Sequence, residues 1–75
     1  MEEILKLLDS LGLDIDVKNC KSLVDDGYLQ SLDIVYLLTE LSFIFDIKIP
    51  AGQIVPENFN SAEALWNMIQ RLEDD

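Results

Sequence analysis

Gly27-Tyr28-Leu29-Gln30-Ser31-Leu32-Asp33-Ile34-Val35-Tyr36-Leu37-Leu38-Thr39-Glu40-Leu41-Ser42-Phe43-Ile44-Phe45 is the stretch that decides the fold. It describes a turn followed by one helix, with a serine at the junction. Gly27 permits backbone angles that other residues resist. Ser31 stands where the helical pattern begins, so its hydroxyl is positioned to cap free backbone N–H groups. Asp33 follows in the first turn, where negative charge suits the helix dipole. Ile34, Leu37, Leu38, Leu41 and Phe45 recur at three- and four-residue spacing and form one apolar stripe. Leu32, Val35 and Thr39 fall on another side of the same helix. Such a helix can face a core with one side and a partner with the other.

Two further helices flank this one. Ile4, Leu7, Leu8 and Leu11 predict a helix over Glu2 to Leu11, with Glu2 and Glu3 at its favourable end and Gly12 as its stop. Ala62, Leu65, Trp66, Ile69 and Leu72 predict a last helix starting at Asn60 or Ser61, where Asn60 and Glu63 resemble a capping box. Arg71 suits its C-terminal end, and Glu73-Asp74-Asp75 reads as a frayed tail.

Between these helices the pattern is less regular. Leu13, Ile15 and Val17 alternate with Asp14 and Asp16, as a half-buried strand would. No second strand is available, so the segment reads as an extended loop tucking apolar side chains under the helices. Lys18 to Asp26 continues it, anchored by Leu23 and Val24. Pro50 ends the segment after the central helix, where Ile47 and Ile49 point inward. Gly52 and Pro56 allow only a short, irregular helix between Ala51 and Phe59. The expected fold is all-α: a small four-helix bundle, three main helices plus one short, with a long first loop.

The chain has 75 residues, which makes one domain, residues 1–75. A 49% apolar fraction is enough for folding, although the core is modest. The formal charge of -10, from 15 acidic and 5 basic residues, argues against nucleic acid and suits basic protein partners. Solubility is the plain alternative for that charge. One cysteine rules out an internal disulfide, and Met-Glu-Glu carries the wrong charge for a signal peptide, so a cytoplasmic location is expected. No apolar run approaches a membrane span. Nothing demands more than a monomer.

The absence of histidine removes the commonest general base and the commonest metal ligand. Asp14, Asp16 and Lys18 begin with calcium-loop spacing, but Lys18 occupies a ligand position and Asn19 stands where the turn glycine belongs. Asp25 and Asp26 are adjacent loop carboxylates and not a positioned catalytic pair. Lys18 and Lys21 lie near Cys20 in sequence, but without a histidine partner a free thiol is the expectation. Trp66 lies in an apolar stripe and reads as core. No catalytic residue and no metal site is assigned. Ser31 lacks the neighbouring base that a nucleophile needs, but as an acceptor modified by another protein it needs only exposure and surroundings that favour a phosphate.

Gly27-Tyr28-Leu29-Gln30-Ser31-Leu32-Asp33, the Ile34–Phe45 helix and Phe45-Asp46-Ile47-Lys48-Ile49-Pro50 resemble the carrier-protein family of acyl, peptidyl and D-alanyl carriers. That family typically shows Gly-x-Asp-Ser-Leu before the central helix and Phe-Asp-x-x-Ile-Pro after it. Asn60-Ser61-Ala62-Glu63-Ala64-Leu65 also resembles the start of its last helix. The resemblance covers essentially the whole chain. It implies an acyl-carrier-like bundle in which Ser31 bears a 4′-phosphopantetheine arm added by a pantetheinyl transferase. The arm's thiol would hold an acyl or aminoacyl group as a thioester, loaded by an activating ligase and passed to a downstream transferase or synthase. Gln30, Leu32, Asp33, Val35, Tyr36, Thr39 and Glu40 are the candidate docking residues.

Gln30 departs from the aspartate usual before the serine, and Asp25, Asp26 and Asp33 are candidates to compensate for the lost charge. Tyr36, Ser42 and Phe43 stand where glutamates are common in fatty-acid carriers, which points to a specialised pathway. Ile54-Val55-Pro56-Glu57-Asn58-Phe59-Asn60-Ser61 resembles the D-alanyl branch, which works in cell-envelope modification. The alternative is an unmodified acidic interaction module that binds through the Leu32–Tyr36 face, with Ser31 as a cap alone.

Overall fold

The computed structural model describes residues 2–13 and 15–74. Its regular elements are α1 (Glu2–Asp9), α2 (Ser31–Phe45), a single 3-10 turn (Ala51–Gln53), α3 (Pro56–Phe59) and α4 (Ala62–Glu73). The described residues contain no strand, and the all-α bundle with a long first loop is the observed architecture. α1 packs against both α2 and α4, and α3 packs against α4. Phe45 at the end of α2 meets Trp66 of α4 edge to face, with ring centroids 6.2 Å apart, which suits the ring quadrupoles.

The periodic apolar positions account for most of the core. Ile4, Leu7 and Leu8 of α1, Leu37 and Leu41 of α2, and Ala62, Leu65 and Ile69 of α4 are buried. Phe59, on the short α3, is buried with them, as is Met68. Each large side chain removed from water in this way contributes about 1.5–3 kcal/mol. Leu13, Ile15 and Val17 are half-buried against this core while Asp16 is exposed. The first loop therefore does tuck its apolar residues inward, although Asp14 lies outside the described residues. Leu23 is fully buried, Val24 and Cys20 half-buried, and Cys20 is a free thiol.

Two boundaries and one cap differ from the sequence expectation. α1 stops at Asp9 and not Leu11. The chain closes there in a turn, with the Leu11 N–H on the Leu8 carbonyl and the Gly12 N–H on the Asp9 carbonyl at 3.1 Å each. Gly12 then takes φ +72°, as a helix stop. α4 starts at Ala62, and its cap is Ser61, whose Oγ accepts from the Ala64 N–H at 3.0 Å. The Asn60 side chain does not cap; it is taken up by backbone N–H groups of the first loop. α2 spans Ser31–Phe45 as expected, but its cap is Gln30 and Ser31 is the first helical residue. At its other end Asp46 adopts φ 52°, ψ 50°, and the Asp46 and Ile47 N–H groups both turn back to the Ser42 carbonyl.

Candidate functional site: the loop–helix junction at Ser31

The approach to Ser31 is a tight loop closed on itself. The Asp26 N–H donates to the Ser22 carbonyl at 2.8 Å, and the Gly27 N–H to the Val24 carbonyl at 3.0 Å. The Leu29 N–H then donates to the Leu23 carbonyl at 2.8 Å. Ser22 Oγ also donates to Asp26 Oδ2. Gly27 sits at φ +81°, in the left-handed region, with nothing near the position a Cβ would take. Its requirement is therefore conformational and not one of space. Gly27→Ala is expected to destabilise the fold by about 1–2 kcal/mol through backbone strain alone. Urea melts of the two proteins check this, and equal midpoints would contradict it. Leu29 is buried and pins the far side of the loop to the core; its position in an aperiodic segment gave no sign of this.

The chain leaves this loop in extended form. Gln30 has φ -107°, ψ 175°, and its N–H donates to Asp33 Oδ2 at 3.1 Å. Asp33 thus occupies the back-reaching position of a capping box. This contact, together with the loop closure, brings the chain into the helix at Ser31, so that Gln30 holds the cap position expected for the serine. Ser31 is exposed, and its side chain is relieved of capping. The Ile34 N–H makes the first helical bond, to the Gln30 carbonyl at 3.0 Å. The N–H groups of Ser31 and Leu32 belong to the open first turn, where a helix favours an anionic group.

Asp25, Asp26 and Asp33, the carboxylates offered as compensation at Gln30, are each engaged locally. Asp25 accepts from Asn60 Nδ2 at 3.2 Å, Asp26 from Ser22, and Asp33 from the Gln30 N–H. They shape the loop as well as charging it.

Beyond Ser31 the outer face of α2 is apolar and uncovered. Leu32 is 84% exposed, Val35 57% and Tyr36 41%. Thr39 is also exposed, and its hydroxyl donates to the Val35 carbonyl at 3.0 Å, which satisfies that polar group within the helix. Gln30 is exposed, and Asp33 and Glu40 are half-buried. The docking residues named from the sequence therefore share one end and one side of α2. Two further apolar residues stand beside them. Phe43, 86% exposed, and Ile44, 42% exposed, extend this apolar surface towards the C-terminal end of α2. The spacing Leu32, Tyr36, Thr39, Phe43 was the available signal. On the flank of Tyr36 and Ile44, a shallow groove of about 330 Å³ runs between α1 and α2, with Glu3, Lys6, Leu7 and Ser10 on its other wall.

No group of three or more potential metal-ligating side chains occurs among the described residues. No described helix is long and apolar enough to cross a membrane.

A small helical bundle that exposes a serine at the start of its second helix, beside an uncovered apolar face, is consistent with the acyl-carrier-like bundle expected from the sequence. Comparison with known proteins agrees. The chain is 41% identical to aminoacyl carrier protein 1 of Bradyrhizobium diazoefficiens over 63 residues, covering 84% of this chain and 69% of that protein. It is 33% identical to the D-alanyl carrier protein of Streptococcus equi subsp. zooepidemicus over 73 residues, 96% of this chain and 92% of that protein. Aminoacyl carrier protein 2 of Bradyrhizobium diazoefficiens is 35% identical over 66 residues, 88% of this chain and 73% of that protein. No family model and no solved structure matches. The chain belongs to the carrier-protein family. It is a carrier and not an enzyme.

Proposed function

We propose that this protein carries an aminoacyl group, or a related acyl group, on a 4′-phosphopantetheine arm attached to Ser31, and presents it to partner enzymes in a specialised or cell-envelope pathway. The observation that carries this reading is Ser31 itself: exposed, first in its helix, and freed from capping by Gln30. The names of the relatives, aminoacyl and D-alanyl carrier proteins, favour an aminoacyl cargo over a fatty acyl chain.

The residues present suit the arm. A phosphodiester on Ser31 Oγ would stand at the N-terminal turn of α2, a favourable setting for its negative charge. When bound, the arm supplies a terminal thiol that holds the cargo as a thioester. During attachment Ser31 Oγ bonds to the phosphorus of the pantetheine-bearing phosphate of coenzyme A, and adenosine 3′,5′-bisphosphate leaves. The hydroxyl proton would pass to a base supplied by the pantetheinyl transferase. Ser31 is thus the acceptor, and the rest of the chain holds it out and offers a surface.

That surface is Gln30, Leu32, Asp33, Val35, Tyr36, Thr39 and Glu40. Its apolar part supplies contact area, and the charge of -10 speeds the encounter with basic partners. The partners are a pantetheinyl transferase, an adenylating ligase that loads the cargo, and a transferase that removes it. Intact mass before and after incubation with coenzyme A and a broad-specificity transferase tests the reading. One added phosphopantetheine is expected; folded protein with no gain from several transferases would overturn it.

The docking face is tested separately. Val35→Glu is expected to leave stability within about 0.5 kcal/mol of wild type, because the position is largely exposed. It should raise the KM of the transferase for the carrier by about tenfold, the loss of one well-placed interface contact. An unchanged KM would remove Val35 from the docking surface.

A further inference from the structure

We propose that Asn60, remote from α2 in sequence, is the positioning residue that fixes the loop presenting Ser31. The inference rests on the carrier reading for its functional consequence. Asn60 lies between the end of α3 and the Ser61 cap of α4. Its carbonyl accepts from the Leu23 N–H at 2.9 Å. Its side-chain Oδ1 accepts two further backbone N–H groups, from Val24 at 2.9 Å and Asp25 at 3.0 Å. Its Nδ2 donates to Asp25 Oδ2 at 3.2 Å. One side chain therefore satisfies three groups some 35 positions away in the chain.

These bonds reach Ser31 through a short relay. Leu23, held by the Asn60 carbonyl, accepts the Leu29 N–H at 2.8 Å. Val24, held by the Asn60 side chain, accepts the Gly27 N–H at 3.0 Å. Leu29 is followed directly by the Gln30 cap. The loop from Leu23 to Gln30 is thus hung from the α3–α4 junction, and the junction is itself fixed to α4 by the Ser61 cap. An amide suits this position because it accepts two N–H groups with its oxygen and still donates to the neighbouring carboxylate. Loss of the anchor leaves the loop sampling other conformations, and a transferase then finds its acceptor competent only part of the time. Such a loss raises the apparent KM in inverse proportion to the competent fraction while kcat is preserved.

The test uses the full chain, a transferase and coenzyme A, with variants at both ends of the contact. Asn60→Ala is expected to raise the transferase KM for the carrier by about tenfold with kcat unchanged, the scale of one lost hydrogen-bonded anchor. In the unmodified variant, amide exchange at Gly27 and Leu29 should accelerate more than at Leu65 and Met68 in α4, because the opening is local. Asn60→Asp keeps the acceptor but sets a carboxylate against Asp25, and should also be impaired. Combining it with Asp25→Asn restores a donor and an acceptor in exchanged positions, and should recover KM; this pair decides the matter if Asn60→Ala does not fold. A folded Asn60→Ala with wild-type KM, or exchange that rises uniformly across the chain, would overturn the positioning role. Wild-type protein that no transferase modifies would instead overturn the carrier reading, and the functional role of Asn60 with it.

Discussion

Ser31→Ala protein, treated with coenzyme A and a pantetheinyl transferase, is expected to show no mass gain while wild type gains one phosphopantetheine and the fold is unaffected. The loss is complete because the oxygen that accepts the arm is gone, and no neighbouring hydroxyl shares its position at the start of α2. Stability is the informative control. Were Ser31 the helix cap, its removal would cost about 0.5–2 kcal/mol. Gln30 holds the cap position, and Asp33 closes the entry by accepting the Gln30 N–H. Ser31→Ala should therefore melt within about 0.5 kcal/mol of wild type, as exposed substitutions usually do. A mass gain in the variant would place the acceptor elsewhere. A cap-sized loss of stability in urea would return Ser31 to the structural role that the sequence pattern suggests.

The second large effect separates two phenylalanines. Phe59 is 1% exposed and Phe43 86% exposed. Phe59 is the one buried residue of α3, so it ties that four-residue helix to the core. Phe59→Ala is expected to cost about 3–5 kcal/mol, the transfer term plus the cavity it leaves. The core of a domain this small supplies about 3–5 kcal/mol of net stability in all, so the variant should be largely unfolded at 25 °C. Phe43→Ala should leave the urea midpoint nearly unchanged, within about 0.5 kcal/mol. Circular dichroism melts of the three proteins check both statements. A cooperative wild-type-like transition in Phe59→Ala would contradict the packing of α3 through that ring. A strongly destabilised Phe43→Ala would mean that the outer face of α2 is covered.

The carrier reading draws strength from two directions that do not depend on each other. The relatives establish the family. The chain's own contribution to the proposal is an exposed serine at the end of a constrained loop. Gln30 replaces the usual acidic residue and holds the cap position as the extended residue before α2. Its side chain is exposed next to Ser31.

The sequence alone determined what depends on near neighbours. Three- and four-residue spacing located the long helices, and α2 runs from Ser31 to Phe45 as its pattern requires, because helical amphipathicity is a local periodicity. Gly27 marked the turn before the helix because the left-handed conformation it adopts favours glycine. The motif around Ser31 pointed to the family for the same reason: its residues are contiguous. Tertiary structure alone decided which sides are covered and which polar groups meet. α2 is apolar on more than one side, and only its packing into the shared core leaves Leu32, Val35 and Phe43 in water while burying Leu37 and Leu41. Asn60 has the local form of a cap, yet its side chain is taken by Val24 and Asp25, and capping passes to Ser61. No local pattern encodes that exchange, because the competing partners lie 35 and 36 residues away and become available only when the first loop folds back on the α3–α4 junction.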